Sequence, residues 1–268
     1  MVTRLIATDI DGTMLRSDGT LSPRVQKALH AASNAGIHVV PTTGRPLIVS
    51  YDVIDELRLN NYWIFANGAV TRHLGRDELI RGYWIDPSVA QGLVVELRAS
   101  IEGAGYAIEM ERTAVFEPGF EKRVPAIPGV HAVDDVLDGI TARVQKVLVF
   151  HDDLTIDELY QRVLEVVGDH AVPSYSGLNF IEVAAALVTK AVGVEQLAND
   201  LGIERHEVAS FGDNHNDVSM LEWTGRSFAM ANATDDAKEA ADEVIGSNDD
   251  DGLAIKVEEL TEEFLGSP

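Results

Sequence analysis

The strongest constraint on the fold of this 268-residue chain is where its strand–helix alternation is regular and where it breaks down. Near the N-terminus the alternation is strict. Residues 5–10 read as a buried strand, and Ser22-Pro23 as an N-cap followed by proline at the first helical position. The helix so opened runs to Ala35 and stops at Gly36. Residues 37–41 form a second strand, a helix follows around 47–59, and residues 62–66 form a third strand. Asn67-Gly68 then favours a tight turn into two short strands reaching about Tyr83. From Lys190 the rhythm resumes: a helix to Leu201, a strand at 208–212, a helix at 217–223, a strand at 227–230 and two further helical segments.

The middle has a different character. A helix at about 87–103 precedes β-like runs at 106–111 and 114–117. Pro118, Gly119, Pro125, Pro128 and Gly129 then interrupt the chain. A strand at 144–150 leads to a helix opened by a Thr155/Glu158 capping box and ending at Val167, and strands follow at 171–175 and 179–183. Strands and helices in unequal order suggest an α+β insertion. The expected architecture is α/β. A doubly wound, Rossmann-like parallel-sheet core is built from residues 1–82 and 186–268, and an inserted α+β domain occupies 83–185. Hydrophobic residues at 46% and charged residues at 24% are sufficient for such a core.

In open α/β sheets, ligands gather beyond the carboxyl ends of the strands, so polar groups just after each core strand are the candidates. The first strand ends in Asp9-Ile10-Asp11-Gly12-Thr13. Residues two apart on an extended chain point to the same side, so Asp9 and Asp11 can face one reaction centre. A calcium loop is excluded, because its fifth and twelfth positions would be Thr13 and Thr20. The second strand ends in Thr43-Gly44-Arg45, where a hydroxyl, a glycine N–H and a guanidinium suit an oxyanion. Lys190 opens a helix, where a cation is electrostatically disfavoured. The fourth core strand runs into Gly212-Asp213-Asn214-His215-Asn216-Asp217. That density of acid and amide groups exceeds what helix capping needs and points to a cation site.

Taken in order, Asp9-Ile10-Asp11-Gly12-Thr13, Thr43-Gly44-Arg45, Lys190 and Gly212–Asp217 resemble the four motifs of the haloacid dehalogenase-like hydrolase superfamily. The position of the insertion resembles the Cof-type branch with its α/β (C2B-type) cap. Asn67-Gly68-Ala69, Met230-Ala231-Asn232-Ala233, Ser247-Asn248 and Asp251-Gly252 extend the similarity over essentially the whole chain. Two positions differ from the usual pattern: Ala191 follows the lysine where glycine is common, and Ala231 replaces a glycine.

The resemblance implies a phosphatase in which Asp9 is the nucleophile, forming an aspartyl-phosphate that water hydrolyses. Asp11 would be the acid and base. Mg2+ would be held by the Asp9 carboxylate, the Asp11 carbonyl and Asp213, with Asn214 and Asp217 supporting this set. Thr43, Gly44, Lys190 and Asn216 would bind the phosphoryl oxygens, joined by Ile10, Arg45, Asn67 and Gly68, and Lys190 would steady the nucleophile. The implied substrate is a small phosphorylated metabolite such as a sugar phosphate, with the cap touching the leaving group. A phosphosugar mutase or phosphotransferase, or a phosphate-ligand sensor without catalysis, are the alternatives on the same scaffold.

Charge narrows the partners. Lys plus Arg total 21 against 44 Asp plus Glu, a net charge of −23. Such a chain is repelled by nucleic acid and anionic membranes, and resists self-association beyond a monomer or weak homo-oligomer. No apolar run approaches the length needed to span a bilayer, and there is no cysteine, so a cytoplasmic location is expected. Most of the acidic surplus, Asp249-Asp250-Asp251 included, reads as solvated surface and helix starts.

Overall fold

The computed structural model describes residues 2–110, 113–124 and 129–267. The chain forms two compact units. The first comprises residues 1–44, 51–81 and 189–268, and the second residues 45–50 and 82–188.

The first unit is built on a parallel five-stranded sheet. Its order is Glu243–Val244, Arg226–Ala229, Val208–Gly212, Leu5–Thr8 and His38–Pro41. The interior strand Leu5–Thr8 is buried throughout, as a strand covered on both faces must be. Thr8 lies level with Phe211 on one side and with Pro41 on the other. The residues that follow these three strands, Asp9, Asp213 and Thr42-Thr43, therefore emerge at the same end of the sheet. One face packs through Leu5, Ala7, Val40, Val194, Leu197, Val208 and Met220. Helices Pro23–Ala35 and Gly252–Leu265 pack against each other. The first of these has the expected ends: Ser22 Oγ accepts from Arg24 N, and Gly36 sits at φ 107°.

Two local expectations differ. The predicted helix at 47–59 is a 3-10 turn, Leu47–Val49, followed by a seven-residue α-helix, Tyr51–Leu57. The third strand, Tyr62–Phe65, heads a separate antiparallel sheet with Val70–His73 and Glu78–Gly82. A single parallel bridge, Thr42 to Ile64, ties it to the main sheet. The Asn67-Gly68 turn reverses the chain directly after the strand and brings Val70–His73 beside it.

The second unit carries a six-stranded sheet in the order Ala171–Ser174, Ile181–Ala185, Val144–Phe150, Gly105–Met110, Ala114–Phe116 and Val130–Ala132. All described pairings are antiparallel except the last. Helices Pro87–Ser100 and Ile156–Val167 cover one face, burying Val94, Leu97, Tyr106, Val147, Leu159 and Val183 together. The Thr155/Glu158 capping box is present. Glu111, Pro125 and Pro128, which figured in the sequence reading, lie outside the described residues. No helix among the described residues is long and apolar enough to cross a membrane.

The opposite face of this sheet mixes an aromatic cluster around Phe120, Phe150 and Phe180 with a buried ion triad. Lys146 Nζ lies 3.1 Å from Glu109 Oε2 and 3.4 Å from Glu182 Oε2. Burial, reinforced by Glu182 and opposed by Lys146, pushes the Glu109 carboxyl from its usual 4.5 up to about 7. The folded state thus keeps a proton that the unfolded chain has lost. This stabilisation is complete below about pH 4.5 and disappears as pH rises through about 7. The urea midpoint is expected to fall between pH 5 and pH 8, and Glu109→Gln to flatten part of that slope. Lys146→Met strands two buried carboxylates and should cost about 3–5 kcal/mol at pH 8 in the same titration.

Candidate active site

Asp9 leaves the strand Leu5–Thr8 with its N–H donating to Phe211 O at 3.0 Å and its side chain buried. Three residues on, Gly12 at φ 76° turns the chain away. A Cβ there would stand 2.3 Å from Asp213 Oδ2, so only glycine lets the loop lie this close to the second strand end. Thr13 Oγ1 then donates to Asp213 Oδ1 at 2.7 Å. Ile10 is buried, and its carbonyl accepts from Met14 N and Leu15 N, closing the turn. Asp11, between these two, is exposed.

Lys190 is wholly buried at the start of helix Lys190–Asp200, behind the Thr189 N-cap. Its Nζ donates to Asp9 Oδ1 at 2.5 Å and to Asp217 Oδ1 at 2.6 Å. The cost of a cation at a helix N-terminus is offset by these two carboxylates, and burial strengthens their attraction. Two glycines bring the helix this close. A Cβ on Gly68 would sit 2.1 Å from Thr189 O, and one on Gly193 would sit 2.9 Å from Ile64 Cγ2. Gly193, three residues after the lysine, thus does the close packing, whereas position 191 is alanine.

Asp217 is fully engaged. Oδ1 takes the lysine, while Oδ2 accepts from Asp213 N and Asn214 N, each at 3.0 Å. A Cβ on Gly212 would meet Asp217 Cβ at 2.5 Å, so this glycine permits the loop to fold over the carboxylate. Asn214 caps the following turn, its side chain accepting from His215 N. Asn216 Nδ2 donates to Asn67 Oδ1 at 3.0 Å. Asn67 N donates to Thr43 O, and Thr43 N to Ile64 O. Ala66, Asn67 and Gly68 all have positive φ, a conformation costing about 1–2 kcal/mol for a residue such as alanine. Thr43 and Gly44 are buried at the strand end. Arg45 belongs to the second unit, where its guanidinium donates to Val49 O at 3.5 Å.

Several residues that hold this arrangement were given no role in the sequence reading. Asn232 Nδ2 donates to Gly12 O, and Asn248 Nδ2 to Leu15 O. Asp249 accepts from Ser17 N and Oγ, and Asp251 pairs with Arg16. Two of the three acids read as solvated surface thus anchor the loop that follows Asp9. Asn232 and Asn248 lay in recognised motifs, but only the fold shows what they touch.

The electrostatics are those of a cation site. Carboxylate oxygens of Asp9, Asp213 and Asp217 all lie within 4.8 Å of one another. Burial first, and then Asp217, hold the Asp9 carboxyl well above its usual range, with Lys190 opposing. Burial and Asp217 likewise push Asp213 up to about 7. Burial opposes the Lys190 charge, but Asp217 and Asp9 outweigh it and raise its pKa. One ammonium does not neutralise these acids, and every donor atom is oxygen, as hard divalent ions prefer.

A family model for haloacid dehalogenase-like hydrolases matches residues 6–257. The chain belongs to that family. YxeH of Bacillus subtilis strain 168 is 30% identical over 273 residues, spanning 96% of this chain and 98% of its own. The 5-amino-6-(5-phospho-D-ribitylamino)uracil phosphatase YitU of the same organism is 27% identical, spanning 93% and 94%. A haloacid dehalogenase-like hydrolase from B. subtilis has the same fold, with a TM-score of 0.84, 25% identity, and coverage of 95% and 99%. The subclass IIB sugar phosphatase BT4131 has a TM-score of 0.84 at 24% identity, covering 96% and 98%. This haloacid dehalogenase-like hydrolase is therefore an enzyme of a family that works with a divalent metal ion, and its buried oxygen set fits that need.

Two outcomes are expected. A divalent ion held by the Asp9 and Asp213 carboxylates would compete with their protons, so its affinity should rise from pH 5 to pH 8 with net proton release, measurable by calorimetry in buffers of different ionisation enthalpy. Gly12→Ala displaces Asp213, and should cut turnover at least about a hundredfold while lowering stability by only about 1–2 kcal/mol in urea titrations.

Proposed function

We propose that this enzyme is a Mg2+-dependent phosphatase that hydrolyses small organic phosphate monoesters through a phosphoenzyme on Asp9. The observation that carries the reading is the buried Asp9 carboxylate held by Lys190 inside an acidic set. A carboxylate used only for structure needs neither a second acid two residues later nor neighbours that repel it.

The Asp9 and Asp213 carboxylates, with the Asp11 backbone carbonyl, would hold Mg2+. Asp217 orients the set, since both its oxygens are already bonded. When bound, the ion supplies positive charge that lets an anionic nucleophile approach an anionic ester. Asp9 attacks phosphorus, and the bond from phosphorus to the leaving oxygen breaks as Asp11 gives that oxygen a proton. Asp11, now a carboxylate, takes a proton from the water that attacks the aspartyl-phosphate. The Asp9–phosphorus bond then breaks and inorganic phosphate departs. Exposure suits Asp11 to this exchange, just as burial suits Asp9 to its fixed position. Lys190 holds Asp9 in place and, with Thr43, the Gly44 N–H and Asn216, binds the phosphoryl oxygens. Ile10, Arg45, Asn67 and Gly68 complete the expected set.

Substrate choice is assigned to the inserted α+β unit, and the substrate class to phosphorylated sugars or polyols. The phosphorylated ribityl group after which the YitU relative is named supports that class. The test is phosphate release over a panel of phosphorylated metabolites with Mg2+. Release without an isomerised phosphate ester is expected, as is its loss with EDTA. Asp9→Asn should lower turnover by about a thousandfold or more with an unchanged urea midpoint. Normal turnover by that variant overturns the nucleophile assignment.

A further inference from the structure

The glycine that lets the loop after Asp9 lie against Asp213 also loosens the backbone next to Asp11. Gly12 cannot carry a Cβ, which would stand 2.3 Å from Asp213 Oδ2, yet glycine is the least restrained residue a chain can place there. Asp11 precedes this joint and is exposed. A residue asked to give and take a proton at one fixed point thus sits beside the most permissive link in its loop.

The structure restrains that link from outside. Asn232 Nδ2 donates to Gly12 O at 2.8 Å, and Asn232 Oδ1 accepts from Asn248 N at 3.0 Å. A backbone N–H can only donate, so the second bond fixes which end of the amide faces Gly12. Asn248 Nδ2 donates to Leu15 O at 2.9 Å, and Ile10 O accepts from Met14 N and Leu15 N. The carbonyls of the residues before and after Asp11 are therefore both held. The segment that carries Asn232 also grips the neighbouring strand end, where Met230 N donates to Gly212 O and Thr234 N to Asp213 O. Thr13 Oγ1 in turn donates to Asp213 Oδ1 at 2.7 Å. Gly12, Asn232, Thr234, Asp213 and Thr13 thus lie on one closed circuit of chain and hydrogen bonds. A closed circuit sets the spacing of the loops it joins, whereas a single bond leaves one free to pivot.

Local turn chemistry does not explain Asn232, whose partner Gly12 is 220 residues away. Stability does not explain it either, because the residue is exposed and water replaces an exposed hydrogen bond at little net cost. We propose that Asn232 is a positioning residue for the acid step, acting through the Gly12 carbonyl to aim Asp11 at the leaving oxygen. The proposal rests on the reading of Asp11 as the group that protonates that oxygen. The step itself is unchanged: the bond from phosphorus to the leaving oxygen breaks as the Asp11 proton passes to it. Asn232 fixes the place from which the proton is given.

The acidity of the leaving group separates this role from a general loosening of the site. A nitrophenolate departs without a proton, whereas the alkoxide of a polyol needs one. The test compares kcat/KM, which covers the chemistry up to loss of the leaving group, for glycerol phosphate and p-nitrophenyl phosphate with Mg2+. Asn232→Ala should lower it at least about tenfold for glycerol phosphate and less than about threefold for p-nitrophenyl phosphate. Asn232→Asp keeps the acceptor for Asn248 N but sets an oxygen against Gly12 O, and should show the same selective loss. The urea midpoint and the calorimetric Mg2+ affinity of Asn232→Ala should stay near those of the wild type. Adding Asn232→Ala to Asp11→Asn should lower glycerol phosphate turnover no further. Wild-type turnover of glycerol phosphate in both Asn232 variants, an equal loss on the two esters, or a loss of Mg2+ affinity overturns the proposal. Equal losses on the two esters in Asp11→Asn overturn the reading of Asp11 as the acid, and the proposal with it, while leaving the assignment of Asp9 intact.

Discussion

The arrangement at the end of the parallel sheet depends on one buried ammonium. Lys190 bridges Asp9, which follows the first strand, and Asp217, which lies beyond the neighbouring strand. Without it two carboxylates would share a water-poor site with no counter-charge, a situation proteins otherwise relieve by protonation. With it, Asp217 becomes a fixed bracket that also accepts the Asp213 and Asn214 N–H groups, and so shapes the loop that presents Asp213. The lysine brings the site together but leaves it short of positive charge, which is the condition a divalent cation meets.

Such close approach of charged loops requires backbone that carries no side chain. Gly12 faces Asp213, Gly212 faces Asp217, and Gly68 and Gly193 let a helix start against the turn after the third strand. At each of these positions a Cβ would fall within 3.0 Å of a neighbouring atom. The net charge of −23 takes on a different meaning beside this geometry. Long-range attraction cannot draw an anionic ester to so acidic a chain, so in the proposed reaction binding would rest on short-range groups and a local cation.

Much of the fold was legible because its signals are local. Pro23 and Gly36 delimit a helix, Thr155 and Glu158 cap another, and the apolar runs at 208–212 and 144–150 coincide with strands. The misreadings occurred where a non-local partner decides the outcome. Residues 62–65 look like a core strand, yet their main pairing is with the hairpin that follows. The 47–59 segment has helical composition but breaks at Ser50, whose Oγ bonds back to Pro46 O.

The sequence by itself determined which chemical groups stand at the strand ends, because alternation and capping are written in neighbouring residues. Asp9, Asp11, Thr43, Lys190 and Asp213 could all be named from it. It also excluded thiolate chemistry, since the chain has no cysteine. Only the tertiary structure decided which of these groups meet, and with what supports. Asp9 and Lys190 are 181 residues apart, Thr13 and Asp213 are 200 apart, and Asn232 and Gly12 are 220 apart. Hydrogen bonds over such separations leave no periodic trace in the sequence. They exist because the sheet order sets the first strand between the second and the fourth, and because four glycines let their loops touch.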